Sequence, residues 1–315
     1  MKSRNPNYCL YGTPEEAGTK LPVVESGSET LIPALLTASY IKEKKISLFE
    51  GDCLNIMPRI GDKSIDLILC DLPYGITRNK WDVVVPFADL WLEYNRIIKD
   101  NGAIVLFGNQ PFTSKLILSN MKNFRYSLVW EKNKFSDFLN AGRKPLKIHE
   151  DIVLFYKKQP TYNPQYWYST PYERWNTQEA VDKQTNYGSH KQNRVKSEGR
   201  RLPTTVLKFN RVERPKHPTQ KPVDLLEWLI RSYSNEGDTV LDNCMGVGST
   251  GLASKNTNRP FIGIELDKNY FNEAQDMLLP ERKRSKSIIS FEASREASRE
   301  ASLSSFKVAK PVLDS

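Results

Sequence analysis

Residues 238–251 read DTVLDNCMGVGSTG, a short apolar strand that runs into a glycine-rich turn. The strand ends at Asp242, and the glycines after it allow a tight turn and a close backbone approach before a helix begins. A second strand follows over residues 260–265 and ends in Glu265. This succession of strand, turn, helix and strand predicts an α/β domain that binds its ligand at the carboxyl ends of the strands.

The predicted ligand of this loop is a nucleoside. Glu265 can accept hydrogen bonds from both ribose hydroxyls, and Gly246 and Gly248 leave the backbone side of the ligand unobstructed. The glycines also satisfy the G-x-G-x-x-G pattern of NAD-binding proteins, but Asp242 stands where a pyrophosphate needs positive potential. Asp242 suits a ligand that carries a positive charge, although an Asp here can also merely cap the next helix.

A second motif, Asp71-Leu72-Pro73-Tyr74, follows an apolar strand over residues 63–70. Pro73 prevents the chain from continuing as a regular strand, so Asp71 and Tyr74 are presented from a stiff loop. A carboxylate beside exposed carbonyls can accept hydrogen bonds from an amino group, and a tyrosine offers a face for a planar ring. Alone, the motif is compatible with an ordinary turn. Beside a nucleoside site, it predicts the place of the chemistry.

The two motifs resemble those of the amino-group DNA methyltransferases that use S-adenosylmethionine. Residues 71–74 are similar to their catalytic motif, usually written D/N/S-P-P-Y, and residues 242–248 look like their cofactor loop. The hexapeptide at 217–222, HPTQKP, resembles the segment that packs beside the methionine part of the cofactor, and residues 149–157 resemble a late strand of the fold. Catalytic motif first and cofactor motif last is the order of the circularly permuted β group.

This resemblance implies a Rossmann-like α/β fold with a seven-stranded, mostly parallel sheet, circularly permuted and carrying an inserted target-recognition region. The implied organisation is an N-terminal extension (1–42), the catalytic half of the methyltransferase domain (43–158), the target-recognition insert (159–212), the cofactor-binding half (213–280) and a low-complexity tail expected to be disordered (281–315).

The resemblance also implies the site residues. The catalytic residues are Asp71, Leu72, Pro73 and Tyr74. The cofactor contacts are Asp52, His217, Thr219, Gln220, Lys221, Pro222, Asp242, Cys244, Gly246, Gly248, Ser249, Thr250 and Glu265. Asp52 is a partner for the adenine of the cofactor or an ordinary helix cap. Leu72 replaces the proline most common in the family; its carbonyl can still hold the target amino group, and loop rigidity is what the change puts in doubt.

The implied reaction is methyl transfer to adenine N6 in duplex DNA, after the base has been flipped out of the helix. Tyr74 would stack on the base, while Asp71 and the Leu72 carbonyl accept its N–H bonds. An Asp at the first catalytic position leans toward adenine, and N4 methylation of cytosine is the nearest alternative. An NAD-dependent oxidoreductase and a catalytically inactive DNA-binding relative are the other hypotheses.

Composition agrees with a nucleic-acid partner. The formal net charge is +9, and residues 157–216 hold 13 Lys or Arg against 5 Asp or Glu, which contributes +8. Aromatic side chains lie among these charges, and this segment predicts sequence readout, although a solvated basic loop has the same composition. A second group of cations is compatible both with the lining of a DNA cleft and with a solvated surface: Lys132, Lys134, Arg143, Lys144 and Lys147.

The remaining features limit the function class. Four cysteines and three histidines show no metal-ligand spacing, so we expect no metal site and free thiols in a reducing cytoplasm. No apolar run is long enough to span a membrane, and no signal-peptide pattern is present, so a cytoplasmic enzyme is expected. The resemblance leaves open a homodimer and a cognate restriction endonuclease as partners.

Overall fold

The computed structural model describes residues 38–41, 45–76, 82–174, 195–215, 217 and 219–279. Expectations for the first 37 residues, for Pro218, for the aromatic residues Trp175 and Tyr187 of the basic segment and for the tail 281–315 lie outside these ranges. Within them, no helix is both long enough and apolar enough to cross a bilayer.

A nine-stranded sheet forms the centre of the fold. Its strands are β1 (Ala38–Ile41), β2 (Ile46–Glu50), β3 (Ile65–Cys70), β4 (Ile98–Gly108), β5 (Phe124–Ser136), β6 (Lys147–Phe155), β11 (Val206–Lys208), β12 (Val240–Asp242) and β13 (Phe261–Glu265). Their order across the sheet is β1-β2-β13-β12-β3-β4-β6-β5-β11. The five central strands β2-β13-β12-β3-β4 are parallel to one another, whereas β1 is antiparallel to β2, and β6 is antiparallel to both β4 and β5. The predicted mostly parallel α/β sheet is confirmed.

The strand count is nine rather than the predicted seven, because a short strand is added at each edge. Strand β1 has four residues and pairs antiparallel with β2, although it lies in the segment interpreted as an N-terminal extension. Strand β11 has three residues and pairs parallel with β5, although it lies in the segment interpreted as an insert. Segments this short carry too few side chains to show a strand pattern, and backbone pairing with an open sheet edge decides their conformation.

The parallel strands are mainly apolar because both faces of the sheet are covered. Strand β3 buries Ile65 and then Leu67 to Cys70 continuously, and β12 is buried at all three positions. Because these strands are buried, their first accessible polar side chains lie at or just after the carboxyl end of each strand. The polar residues Asp71, Asp242 and Glu265 lie at those ends.

Helices cover the sheet on its two faces, and each layer contributes to one hydrophobic core cluster. One layer packs with Leu229, Phe271 and Leu278, and the other with Trp91, Tyr94 and Leu116. The helices are α1 (Cys53–Ile56), α2 (Phe87–Ile97), α3 (Phe112–Ser119), α4 (Val223–Tyr233), α5 (Ser249–Asn256) and α6 (Lys268–Leu278), with short 3₁₀ turns at Met57–Arg59 and Phe138–Asn140. The two clusters meet across the sheet, as expected for a three-layer α/β fold.

Part of the basic segment is visible as two small ribbons beside the main sheet. Strand β7 (Trp167–Tyr168) pairs with β10 (Arg200–Arg201), and β8 (Tyr172–Arg174) pairs with β9 (Val195–Ser197). The Arg200 guanidinium lies 4.1 Å from the centre of the Tyr166 ring, and that of Arg201 lies 4.5 Å from the Tyr172 ring. Alternating cations and aromatic rings therefore form an exposed surface.

Candidate active site

A cavity of about 390 Å³ opens at the carboxyl edge of the sheet, where β2, β3, β12 and β13 end. This volume lies within the range of small-molecule sites. The predicted site residues that line the cavity are Asp52, Asp71, Leu72, Pro73, Tyr74, His217, Thr219, Gln220, Lys221, Asp242, Cys244, Gly246, Ser249, Thr250 and Glu265. Motifs about 170 residues apart in the sequence therefore meet in one cavity.

The loop after β3 holds Asp71 and Tyr74 in a fixed relation. The Tyr74 hydroxyl donates to Asp71 Oδ1 over 2.6 Å, and its ring packs on Phe112 with centroids 4.8 Å apart. Past the motif, Asp82 accepts hydrogen bonds from the backbone N–H groups of Gly75 and Ile76 at 2.8 and 3.0 Å. The loop is thus closed by side-chain contacts at both of its ends.

Leu72, which departs from the family motif, contributes to the core. Its side chain is only 3% exposed and belongs to the cluster that includes Leu90 and Ile264. A proline at this position would restrict the backbone through its ring, whereas a buried leucine holds the loop through packing. Burial therefore supplies rigidity that the sequence alone puts in doubt.

Asp71 is the first member of a largely buried chain of alternating charges. Lys221 Nζ donates to Asp71 Oδ2 and lies 3.4 Å from Glu150 Oε2. Glu150 in turn accepts a hydrogen bond from Lys132 Nζ through its other oxygen. The chain runs Asp71, Lys221, Glu150, Lys132, and it joins the loop after β3 to strands β5 and β6. Its central ammonium, on Lys221, is 7% exposed.

Burial and charge act against each other in this chain. Burial raises the pKa of Asp71, and the Lys221 ammonium opposes that rise. Burial also disfavours charge on Glu150, yet Lys221 and Lys132 outweigh it and hold the pKa of Glu150 below its usual value. Burial would lower the pKa of Lys221, but Asp71 and Glu150 together raise it. Lys221 is therefore a cation that both carboxylates require.

The glycine-rich loop after β12 is built around two carboxylates. Glu265 accepts the backbone N–H of Gly246 through Oε2 and that of Asp267 through Oε1, each over 2.8 Å. Asp242 accepts the backbone N–H of Cys244 at 3.1 Å. Burial raises the pKa of Asp242 to about 6. A bound cation beside Asp242 would relieve that burial penalty, because an opposite charge favours the ionised carboxylate.

The glycines of this loop have different roles. Gly246 has a φ of 54°, and a Cβ placed on it would meet nothing within 4 Å, so it faces the open cavity. Gly248 has a φ of 86°, and a Cβ there would lie 3.1 Å from both Ala274 and Leu278. Gly248 does not line the cavity; it allows α5 to begin against α6. Of the predicted cofactor contacts, Gly248 and Pro222 are the two outside the lining.

The segment from His217 to Pro222 bridges the cofactor loop and the catalytic loop. Gln220 Nε2 donates to Ser249 Oγ at 3.1 Å, and the His217 ring lies 4.3 Å from that of Tyr270, edge to face. Lys221, predicted as a cofactor contact, pairs with Asp71. Pro222 caps the start of α4. Neighbouring residues of one hexapeptide therefore reach both sides of the cavity.

Asp52 is a helix cap that also faces the cavity, and its role beside the adenine of a cofactor stays a prediction. It caps α1 by accepting the backbone N–H of Leu54 at 2.9 Å, and it also lines the cavity. Its neighbour Cys53 lies near Cys70 and Cys244 beneath the cavity, and burial raises the pKa of the Cys70 thiol to about 12. Among the described residues, no group of three or more His, Cys, Asp or Glu side chains could hold a metal ion.

Sequence reasoning missed Glu150, Asn109 and the pairing of Lys132. The sequence pattern places Glu150 only within a strand, where it is one of two acids just before the apolar run 152–155. That position carries a usable signal: β6 is antiparallel to β4, so its first residues lie at the same edge as the ends of the parallel strands. Asn109 follows β4 and lines the cavity at that edge.

The fold is similar to that of a protein whose structure has been solved with SAM. The crystal structure of the M1.HpyAVI–SAM complex is similar at a TM-score of 0.51 and 26% sequence identity, covering 74% of this chain and 100% of its own. The chain belongs to the DNA methylase family N6_N4_Mtase, whose model matches residues 65–276. This membership removes the NAD-dependent oxidoreductase hypothesis.

Two relatives extend the likeness over most of the chain. Type II methyltransferase M1.MboII of Moraxella bovis is 25% identical over 263 residues, which covers 73% of this chain and 95% of its own. DNA adenine methyltransferase YhdJ of Escherichia coli (strain K12) is 28% identical over 241 residues, which covers 71% and 79%.

Proposed function

We propose that this protein transfers a methyl group from S-adenosylmethionine to the exocyclic N6 of adenine in duplex DNA. The observation that carries the proposal is the shared cavity: Asp71 and Tyr74 open into the same space as Asp242 and Glu265. One pair of side chains suits an amino group on a planar base, and the other suits a cationic nucleoside. Methyl transfer requires these two ligands to meet.

The residues of the glycine-rich loop fit the cofactor. Open space beside Gly246 admits a ligand against the backbone, and Glu265, 9% exposed, lies where ribose hydroxyls could donate to it. Asp242 would favour the positive charge of the sulfonium and amino groups. Gln220 and Ser249 are hydrogen-bonded to each other and also line the cavity. When bound, S-adenosylmethionine supplies an electrophilic methyl group for direct transfer.

Asp71 and Tyr74 act on the target base. Tyr74 and Lys221 each occupy one oxygen of the Asp71 carboxylate, and each oxygen keeps capacity for a further hydrogen bond. An exocyclic N–H donated to Asp71 would turn the nitrogen lone pair away from the ring and toward the methyl donor. Orientation of this kind accounts for roughly 7 to 11 kcal/mol of a barrier in favourable cases. The amino proton becomes acidic only as the methyl group arrives, so Asp71 need not remove it first.

The choice of adenine rests on Asp71 itself and on the adenine-specific relative YhdJ. Cytosine N4 is the alternative, because the family covers both kinds of amino group. The two reactions use the same positions, since both targets are exocyclic amines on flipped bases. Specificity for one base is therefore decided by the pocket around Tyr74, not by the mechanism.

The partner in this proposal is double-stranded DNA read at a specific sequence. The +9 net charge and the exposed cation and aromatic surface of β7 to β10 support phosphate and base contacts. We assign target recognition to residues 159–212, the catalytic half of the domain to residues 43–158 and the cofactor-binding half to residues 213–280. Residues 1–42 are the N-terminal extension and residues 281–315 the low-complexity tail in this proposal. Cytoplasmic location, a homodimer and a cognate restriction endonuclease belong to the same proposal, the last because of type II relatives such as M1.MboII.

The test is product analysis. The purified protein is incubated with methyl-labelled S-adenosylmethionine and mixed-sequence duplex DNA, and the digested nucleosides are identified by mass. Label in N6-methyladenine is the expected result, and label in N4-methylcytosine would replace the base while keeping the site. No label, with cofactor and DNA both bound, would establish the inactive-relative hypothesis.

Asp71→Ala is the matching variant. We expect it to abolish methyl transfer while S-adenosylmethionine still binds, because Asp71 lies on the target side of the cavity. Loss of cofactor binding together with transfer would mean that Asp71 holds the structure and does not act on the base. Asp66→Ala is a control, since Asp66 is an acid of the preceding strand outside the cavity lining.

A further inference from the structure

Strands β5 and β6 extend beyond the rest of the sheet at the edge that carries the cavity. The last residue of β4 to pair with β6 is Gly108, opposite Asp151, so the four residues Lys147–Glu150 continue past the end of β4. At 3.3 Å per residue, this overhang is about 13 Å long. Residues 137–146, which connect the two strands and are here named the hairpin tip, therefore project beyond the sheet edge that carries the cavity.

The root of this hairpin is part of the cavity wall. Glu150 lines the cavity and pairs with Lys221, and Lys147 Nζ donates to Asn109, which also lines it. The hairpin is consequently fixed to the site that we assign to the target base. A molecule that delivers a base to Asp71 has to pass beside it.

The hairpin tip exposes two large apolar side chains. Phe138 is 69% exposed and Leu139 is 83% exposed, and Phe135 below them is 53% exposed. Adjacent large apolar residues projecting into water are costly for a protein surface and usually mark a contact with another molecule. This pair is therefore the feature of the overhang that requires a partner.

The hairpin tip is held in one shape before any partner binds. Asp137 has a φ of 70°, and its carboxylate accepts Asn140 Nδ2 at 2.6 Å and pairs with Lys144. Backbone bonds from Asn140 to Asp137 and from Arg143 to Asn140 close the turn at 3.0 and 2.9 Å. The two apolar side chains are thus presented from a preorganised 3₁₀ turn.

The positive charge around the hairpin tip indicates that its partner is a DNA duplex. Residues 132–147 contain five Lys or Arg and a single acid, Asp137. Lys134, Arg143 and Lys144 are exposed around Phe138 and Leu139. Cations around an apolar pair match a duplex, in which phosphates border stacked bases and apolar side chains can enter between base steps. A second copy of this basic chain would instead bring like charges together.

We propose that Phe138 and Leu139 enter the DNA duplex beside the target base and occupy the space that it leaves on flipping. Lys134 and Arg143 contact the flanking phosphates. This inference rests on the proposed function, because it requires a base to leave the helix for the Asp71 cavity. It adds a pair of side chains that lowers the free-energy cost of removing the target base from the base stack.

The test compares Phe138→Ala/Leu139→Ala with the unmodified enzyme on two duplexes. One carries the sequence that the unmodified enzyme methylates, mapped on a plasmid, and the other has a mismatch opposite the target base. A mismatch lowers the cost of flipping, which is a few kcal/mol for a paired base. We expect methyl transfer to fall about tenfold or more on the paired duplex and by less than about threefold on the mismatched one.

Leu92→Ala is the matched control, because Leu92 is 69% exposed on α2, away from the hairpin tip. Light scattering of all variants reports their oligomeric mass. Equal losses on both duplexes, or no loss on either, would overturn the inference. A change of mass without a selective loss would overturn it in favour of an interface between copies. If the unmodified enzyme transfers no methyl group, the proposed function fails first; normal transfer with normal variants refutes the inference alone.

Discussion

Replacing Lys221 with methionine would leave two buried carboxylates without the ammonium that they share. Methionine preserves the length and the apolar stem of the lysine, so packing changes little. Lys221 is 7% exposed and lies between Asp71 and Glu150, and Lys132 stays near Glu150 alone. Asp71 therefore loses its only cationic partner among the described residues.

The expected loss of unfolding free energy in Lys221→Met follows from the burial of the ion pair. Removing one partner of a buried ion pair costs about 3–5 kcal/mol, because the remaining charge is left uncompensated. The comparison is Lys99→Met, which breaks the pair between Lys99 and Asp66, 2.6 Å apart with Lys99 42% exposed. Pairs of that kind contribute about 0–1 kcal/mol. The two variants should differ by at least about 2 kcal/mol in free energy of unfolding.

Urea unfolding without ligand, followed by tryptophan fluorescence, measures this difference. The double variant Lys221→Met/Glu150→Gln should recover part of the loss, because one of the unpaired charges is removed. In the pH profile of methyl transfer, Lys221→Met should move the acid limb to higher pH. The sign follows because Lys221 opposes the raised pKa of Asp71, and the carboxylate form accepts the target N–H bonds.

Two results would refute this reasoning. Equal unfolding free energies for Lys221→Met and Lys99→Met would mean that Asp71 and Glu150 do not depend on the shared ammonium. An acid limb that stays in place while the rate falls would mean that Lys221 contacts a ligand instead of setting the charge of Asp71.

Four further variants test the two halves of the cavity and the glycine-rich loop beside it. Tyr74→Phe removes the 2.6 Å hydrogen bond to Asp71 but keeps the aromatic ring. Because a hydrogen bond to a charged group is worth about 1.5–3 kcal/mol, we expect kcat to fall roughly 10- to 100-fold with unchanged cofactor affinity. Steady-state kinetics measures both quantities. Calorimetry should show affinity for S-adenosylmethionine falling as the pH drops through about 6, where Asp242 takes up a proton, and Asp242→Asn should remove that dependence. Gly246→Ala should weaken cofactor binding at a stability cost of about 1 kcal/mol, whereas Gly248→Ala, crowded by Ala274, should lower the unfolding midpoint more.

Long-range pattern in the sequence predicts the fold because β3, β12 and β13 are mainly apolar runs, and each ends in or is followed by an acid that lines the cavity. Asp71, Asp242 and Glu265 could all be placed at strand ends on that basis, and the structure brings them to one cavity. The resemblance then orders the strands. Neither source predicts β1 or β11, whose conformations depend on the edges that they meet.

The ion chain could not be predicted from the sequence for a different reason. Lys221 belongs to a motif associated with the cofactor, and Glu150 to a strand without a recognised role. Their contact depends on the antiparallel entry of β6 at the cavity edge and on side-chain direction. Lys221 and Glu150 are 71 residues apart in the chain, and the role of neither is clear from its own motif. Their contact can be predicted only once the register of the sheet is known.

Strand β11 limits how freely residues 159–212, which we propose to read the DNA target, can be exchanged between related enzymes. Thr205 accepts the backbone N–H of Val129 at 2.8 Å, and Phe209 accepts Trp130 Nε1 at 2.8 Å, so this stretch completes the sheet edge. A chimera that replaced this segment as a whole would remove the edge strand together with the surface proposed to read DNA. A graft that ends before Thr204 would transfer that surface and leave the β5–β11 pairing of the recipient enzyme intact. Residue 203 is therefore the natural junction for engineering a new specificity.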